Sequence, residues 1–345
     1  MIRYALLTRE SSNRVFGTVA PQLLRAEVEA ISPHLSGGVK GAQVETLGGL
    51  PFISFETEAL TTTDIFILSN LALGRGLFEH SDTGGLQPID VTPLEWFGSD
   101  LITIQRYVGK TNEQFTHLLV NLGVAASAAA HQRSKMGERV RLLDPVSGRG
   151  STLNRGLVYG FDVAGVEVDG NSVDQHRVFL TTYLKDKRIK HKAETERFRK
   201  GELAGASGFR VAIRPTSPES AQRVQVFRAE TSQSPQLFSG KRFDVIAGDL
   251  PYGVQHSSKK TSAKGSASNR SPEQLVTDSI ARWAKLLAKN GAIALSWNVL
   301  TMERATLAGL LTNSGLDVVE HPESFEHVVD RQITRDVIVA RSAPR

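Results

Sequence analysis

Residues 243–253 read FDVIAGDLPYG, an apolar run that stops on an acid, a leucine, a proline, an aromatic ring and a glycine. That ending suits one kind of chemistry. The exocyclic amine of a nucleobase is a poor nucleophile, because its lone pair is delocalised into the ring. Two acceptors on its N–H groups push the nitrogen towards tetrahedral geometry and aim it in line with an electrophilic methyl, and positioning supplies much of the rate. Asp249 offers a carboxylate for one of those hydrogen bonds and Leu250 a backbone carbonyl for the other. Pro251 fixes the direction of the chain, Tyr252 presents a ring face to an extruded base, and Gly253 relieves crowding where the loop turns away.

A second group of residues describes what carries the methyl. Residues 144–150 read DPVSGRG, an acid-x-x-x-Gly-x-Gly turn directly after an apolar run. A dinucleotide site would read GxGxxG, with a helix N-terminus facing a pyrophosphate. The third glycine is missing and an acid precedes the first, which disfavours an NAD-dependent enzyme and suits a ligand without phosphate. Gly148 and Gly150 let the backbone approach an amino-acid moiety, Asp144 binds its ammonium, and Pro145 and Ser147 complete the turn. The following run ends in GVEVD, where Glu167, with Asp169 as its nearest rival, is placed to hold a ribose diol. The next ends at Glu230, which can accept from an adenine amine. Singly, each fits an ordinary strand–helix turn or a solvated strand-end acid. Together they describe a nucleoside with an amino-acid arm, S-adenosylmethionine. No metal-ligand set is read.

These residues must be positioned by an α/β sheet. From about 136 onward strand, turn and helix repeat: RVRLLDP (139–145), DVAGVEVD (162–169), RVQVFRAE (223–230), FDVIAGDLP (243–251), GAIALSWN (291–298), LDVVEHP and TRDVIVARS (334–342) are the strands. Residues 271–291 and 302–315 read as helices, the first with a Ser cap and a terminal Gly. Seven strands with short connections predict a mostly parallel, Rossmann-like sheet covered on both faces. The link between the last two is too short for a helical crossover, so the final strand should insert antiparallel. Residues 1–110 mix short strands (YALLTR, LPFISFE, LITIQRY) with helices near 19–31 and 60–73, and predict a smaller N-terminal α+β domain. Residues 111–131 read as a helix within a linker, 111–135, leading into a main domain over 136–345.

The sequence has no cysteine, which removes disulfides, thiolate zinc sites, iron–sulfur clusters and the thiolate adduct by which pyrimidine C5 is usually methylated. Net charge is +5, yet 185–223 holds eleven Lys/Arg against five Asp/Glu, and 256–272 holds four against none. Basicity gathered in two segments points to a polyanionic partner, RNA, more than to a mixed solubility surface. His256, in the second segment, reads as a solvent-facing loop residue. Trp297 and Asn298 read as packing the site's rim, and Lys110 and Asn112 in GKTN as structural or as cofactor or RNA contacts. With no signal peptide and no membrane-length apolar stretch, a cytoplasmic protein without a membrane anchor is expected.

DPVSGRG, GVEVD and FDVIAGDLPYG together resemble the class I S-adenosylmethionine-dependent methyltransferases with a [DNS]PPY-type motif, and within them the tRNA guanine-N2 methyltransferases and related putative RNA methylases associated with THUMP domains. RYVGKTNEQFTHLLVNLGVAAS (106–127) resembles the segment that precedes the catalytic domain in those proteins. The likeness implies S-adenosylmethionine as cofactor, Asp249, Leu250, Pro251 and Tyr252 as the catalytic motif, and guanine N2 in tRNA or another structured RNA as the acceptor. Adenine N6 in DNA or RNA is the alternative. An RNA-binding protein that keeps the fold without catalysis is a third reading. The chain departs from the family at Leu250, where the motif has a proline, and in an N-terminal region shorter than the usual ferredoxin-like plus THUMP arrangement.

Overall fold

The computed structural model describes residues 1–214, 220–252 and 272–342. Gly253, His256 and the basic run 256–271 lie outside the described residues.

Two sheets organise the chain. The first runs through β1 (Ile2–Thr8), β2 (Lys40–Leu47), β3 (Leu50–Thr57), β4 (Gly74–His80) and β5 (Leu86–Ile89), in the order β2-β3-β1-β4-β5 with every neighbour antiparallel. β2 and β3 meet at Gly48–Gly49, both at positive φ, the two-residue hairpin turn that only glycine-like residues adopt cheaply. Helices α1 (Arg14–Ile31) and α2 (Thr62–Ser69) belong to this part. α2 opens on a capping box between Thr61 and Asp64. LITIQRY, expected as a strand, is instead the short helix α3 (Asp100–Thr103) followed by irregular chain. Leu101 and Ile102 of this helix are both buried.

The chain continues through α4 (Glu113–Ala126), α5 (Ala128–Lys135), β6 (Arg141–Asp144), α6 (Ser151–Val158), β7 (Asp162–Glu167), α7 (Gly170–Asp186), β8 (His191–Arg197), β9 (Ser207–Ile213), β10 (Gln222–Arg228), α8 (Ser234–Leu237), β11 (Phe243–Asp249), α9 (Pro272–Ala284), β12 (Leu287–Asn298), α10 (Arg304–Asn313), β13 (Leu316–Val319), β14 (His327–Asp330) and β15 (Ile333–Ser342). The expected single helix over 111–131 breaks at Ser127, which caps α5 with its own hydroxyl. α9 ends at Ala284, earlier than expected, because Leu287–Asn298 already runs as strand.

The second sheet has the order β13-β15-β12-β11-β6-β7-β10-β9-β8, with β14 on β15. β6, β7, β10, β11 and β12 are mutually parallel, and β15 inserts antiparallel between β12 and β13, as its short connection requires. The seven expected strands are present, but seven is not the count: the sheet has ten strands among the described residues. The excess comes mainly from 185–223, read as a basic insertion, which folds as the hairpin β8–β9 on the β10 edge. Its charges hide an alternation, since in SGFRVAI Phe209, Val211 and Ile213 are buried while Arg210 is exposed. After β6 the chain builds outward through β7 and β10, then returns to β11 on the other side. The reversal between β6 and β11 opens a crevice at their C-terminal ends.

The sheets are separate but the core is not. One apolar cluster runs from Tyr4 and Leu24 through Phe115, Leu118 and Leu157 to Val245 and Val339, so α4 lies in a core common to both. A Cβ on Gly123 of α4 would sit 2.8 Å from Val245 Cγ1 and 3.3 Å from Ala294 Cβ, which shows how closely the helix packs on β11 and β12. The other face of the large sheet is covered around Trp283, Leu307 and Leu311. Glu27 of α1 is fully buried, accepting from the Ala72 N–H at 3.0 Å and from Asn121 Nδ2 of α4 at 2.7 Å, and burial pushes its carboxyl up to about 7. No helix among the described residues is long and apolar enough to cross a membrane.

Candidate functional site

Asp144 ends β6 and is 3% exposed. Its Oδ1 accepts the Val146 N–H at 3.0 Å, and a Cβ on Gly248 of β11 would stand 3.4 Å from that oxygen. The carboxyl therefore rests against the strand that carries Asp249, one residue before it. Burial raises the Asp144 pKa to about 7, and the nearby charges of Asp249 and Glu167 push in the same direction. A buried acid in that state gains from a cationic ligand.

The turn after Asp144 shows two uses of glycine. Gly148, at φ +50, has nothing within 4 Å of a notional Cβ, and its N–H donates to Glu167 Oε2 at 2.8 Å. Gly150, at φ +83, is also needed by the protein itself: a Cβ there would lie 2.3 Å from the buried His176 ring. Ser147 is also spent internally, its N–H donating to the Val166 carbonyl at 2.9 Å, while Pro145 packs near Gly248. At the end of β7, Glu167 accepts from Gly148 N–H and, at 2.8 Å, from Asp169 N–H. Each carboxylate oxygen keeps a second lone pair for an outside donor. Asp169 is a cap: its carboxylate takes the N–H groups of Asn171 and Ser172 and the Ser172 hydroxyl. Glu230 lies two residues past the end of β10, beside β7, where Ala229 N–H donates to the Glu167 carbonyl at 3.0 Å. It sits in a capping box with Gln233 at a short 3-10 turn, a local use that the sequence reading did not include.

Asp249 ends β11 and is held from four directions. Thr111 Oγ1 donates to Oδ2, Ser296 Oγ and Tyr252 OH donate to Oδ1, and Arg335 Nη2 lies 3.8 Å from Oδ2. Arg335 is itself buried between the rings of Phe115 and Tyr252, at 4.6 and 5.0 Å from their centroids. Tyr252 is half-buried, one face of its ring is taken by a guanidinium, and burial followed by the Asp249 charge pushes its pKa well up, so it remains a donor. Leu250 explains its own departure from the motif. Its N–H, which a proline would lack, donates to the Ser296 carbonyl at 2.8 Å and extends the β11–β12 ladder by a residue, and its side chain is 1% exposed. Pro251 is exposed.

Thr111, Ser296 and Arg335 escaped sequence reading. Each left a signal: a hydroxyl between two flagged residues in GKTN, a serine inside a continuous apolar strand, and an arginine entering another. Lys110 and Asn112 are structural, the first bonded to the Ile102 carbonyl and Glu113, the second capping α4. Tyr107 joins the site, its hydroxyl 2.9 Å from Ser151 Oγ and its ring under the Arg149 guanidinium, close enough to Asp144 and Asp249 to feel both charges. Trp297 and Asn298 are buried and bonded to the Met302 and Gln332 carbonyls, as rim packing requires. Among the described residues no group of three or more His, Asp or Glu is placed to hold a metal.

No protein-family model matches the chain, and no curated protein matches it by sequence. Solved structures similar to it include TrmN from Thermus thermophilus, 13% identical, covering 99% of this chain and 100% of that one with a TM-score of 0.47. Another is the T. thermophilus 16S rRNA N2 G1207 methyltransferase RsmC in complex with AdoMet and guanosine, at 16% identity, 88% and 58% coverage and a TM-score of 0.37. A third is magnesium protoporphyrin IX methyltransferase (ChlM) from Synechocystis PCC 6803 with bound SAH, at 11%, 69% and 90%, and 0.37. Overlaps this loose decide neither family nor substrate, and the functional reading stands on the site itself.

Proposed function

We propose that the chain transfers a methyl group from S-adenosylmethionine to an exocyclic amine of a nucleobase, and more narrowly to guanine N2 in tRNA or another structured RNA. The observation that carries the reading is the meeting of Asp249 with Asp144 and Glu167 across the reversal between β6 and β11. In this reading residues 136–345 form the methyltransferase unit, 111–135 link to it, and 1–110 recognise substrate. The residues present fit the cofactor. Asp144 would face its ammonium, Glu167 its ribose hydroxyls, and the open space beside Gly148 would receive its backbone-sized portion. When bound, the cofactor supplies an electrophilic methyl on a sulfonium. Asp249 and the Leu250 carbonyl would hold the two N–H bonds of the acceptor amine, and Asp249 would take the proton that the nitrogen loses as its bond to carbon forms. Oδ2, which among the described residues accepts a hydrogen bond only from Thr111, keeps a lone pair for one of those N–H groups, and a donor that yields would free Oδ1 as well. Tyr252, on the loop beyond the strand, is the one placed to leave, since Ser296 is fully buried.

A second reading has an observation of its own. A carboxylate engaged by three hydroxyls with an arginine 3.8 Å away also suits a chain that keeps the fold and binds RNA without reacting. Incubation with methyl-labelled cofactor and tRNA or rRNA, followed by nucleoside digestion and mass spectrometry, separates the cases. Labelled N2-methylguanosine supports the proposal, N6-methyladenosine moves the acceptor to the other amine, and unlabelled RNA leaves the binding protein.

Asp144 gives the cofactor a pH signature. Its carboxyl, raised to about 7, must ionise to hold an ammonium. S-adenosylmethionine affinity should therefore rise with pH to about 7 and fall again above about 8, where the ligand's own ammonium loses its proton, with proton release in calorimetry on the acid side. Asp144→Asn should weaken binding and flatten the acid side of the profile.

A further inference from the structure

At the opposite edge of the large sheet, below the N-terminal ends of β7, β10 and β11 and inside the β8–β9 hairpin, lies a cavity of about 820 Å³. Its existence follows from the crossover between β10 and β11. That link contains one four-residue helix, α8, about 6 Å long, against strands of seven residues, about 23 Å long. Phe238, just past α8, covers Phe227 of β10 with ring centroids 5.6 Å apart. Gln225, two residues back on the same face, is left lining the cavity beside its β7 partner Ala164.

The walls are basic. Six cationic and two acidic side chains line the space. Arg210 and Arg223 pair with Glu196 and Asp162. Among the described residues no carboxylate lies within ion-pair distance of Lys241 or Arg242; Lys241 Nζ donates to Gln225 Oε1, and Arg242 Nη1 to the Lys241 carbonyl. Gln225 is 6% exposed, yet its Nε2 has no hydrogen-bond partner. A buried amide donor without an acceptor is costly, and Gln225 lines a space rimmed by Lys241 and Arg242 over an apolar floor of Ala164, Ala212 and Phe243. A phosphate would satisfy the cations and, once the Gln225 amide turns towards it, the donor as well, and a base or ribose would suit the floor.

We infer that this cavity is a second RNA contact, taking a phosphate and its nucleotide at a distance from the acceptor base. The inference rests on the reading of RNA as substrate and extends it. Phe243 lines the cavity and Asp249 ends the same strand six residues on, so the two contacts are about 20 Å apart. The β8–β9 hairpin, with its surplus of lysine and arginine, thereby acquires a place on the substrate path.

The test uses the full chain, unfractionated tRNA and guanosine 5′-monophosphate as probes, and calorimetry with S-adenosylmethionine. Lys241→Met with Arg242→Ala alters two exposed side chains, and Gln225→Leu removes the buried donor while keeping bulk. The double variant should lose at least about tenfold in tRNA affinity and flatten the salt dependence by nearly two units of log K per log salt. Gln225→Leu should weaken tRNA binding about threefold, and both variants should bind S-adenosylmethionine as the wild type does. Unchanged tRNA affinity and salt slope in the double variant would overturn the inference. So would a wild type that binds the mononucleotide but not tRNA. If wild type fails to bind S-adenosylmethionine while the double variant still loses tRNA affinity, the methyltransferase reading falls and the cavity stands. Methylation with undiminished tRNA affinity in the double variant does the reverse.

Discussion

Asp249→Ala should abolish methyl transfer and loosen the fold at once. Loss of an acceptor aimed at the reacting amine costs at least about 100-fold in turnover. The same change strips the buried Arg335 of its carboxylate and leaves the Thr111 and Ser296 hydroxyls without their acceptor. Removing one partner of a buried ion pair costs about 3–5 kcal/mol; the 3.8 Å separation places this pair near the lower end. The two effects can be separated. Asp249→Ala combined with Arg335→Met replaces the pair by apolar groups and should recover much of the stability in urea titrations, with turnover still absent. Tyr252→Phe removes only the donor expected to yield, and should keep methyl transfer within about tenfold of wild type. If Asp249→Ala turned over normally, the acceptor arrangement would be wrong; if Asp249→Ala/Arg335→Met recovered both stability and turnover, Asp249 would be a structural residue.

Gly150→Ala should be the most damaging single methyl in the site. At φ +83 a side chain costs about 1–2 kcal/mol. The added carbon also meets the His176 ring at 2.3 Å, and that ring is fully buried, so overpacking adds about 1–3 kcal/mol. A loss of about 3 kcal/mol should appear as a lowered denaturant midpoint, with weaker S-adenosylmethionine binding because the turn is displaced. His176→Ala makes room for the methyl, so in its background Gly150→Ala should cost only the backbone part. Equal costs in both backgrounds would show that the ring is not the obstacle.

The strand–helix alternation after residue 136 was legible because each parallel strand there is a continuous apolar run bounded by turn residues. β11 and β12 are buried along nearly their whole length. The β8–β9 hairpin was not legible, because charge dominates the composition of the edge strand β8 and the alternation of β9 is carried by three residues of SGFRVAI. In the site, Asp144, Glu167 and Asp249 were readable as acids at strand ends. What they bind within the protein was not. Thr111 precedes Asp249 by 138 residues and Arg335 follows it by 86, and no local spacing links them. Asp169 and Gly150 have internal uses that residue type alone did not reveal, a helix cap and room for a histidine ring.

Helix α4 has a further consequence. Its start ties Thr111 to Asp249 and Gln114 to the Glu10 carbonyl, its middle holds the buried Glu27 through Asn121, and its far side lies on β11 and β12. Heating should therefore melt both sheets in one cooperative transition, since neither can release this helix without exposing the other's interior. A shortened chain beginning at residue 111 would carry a raw apolar flank and should be recovered as aggregate rather than as a smaller folded unit.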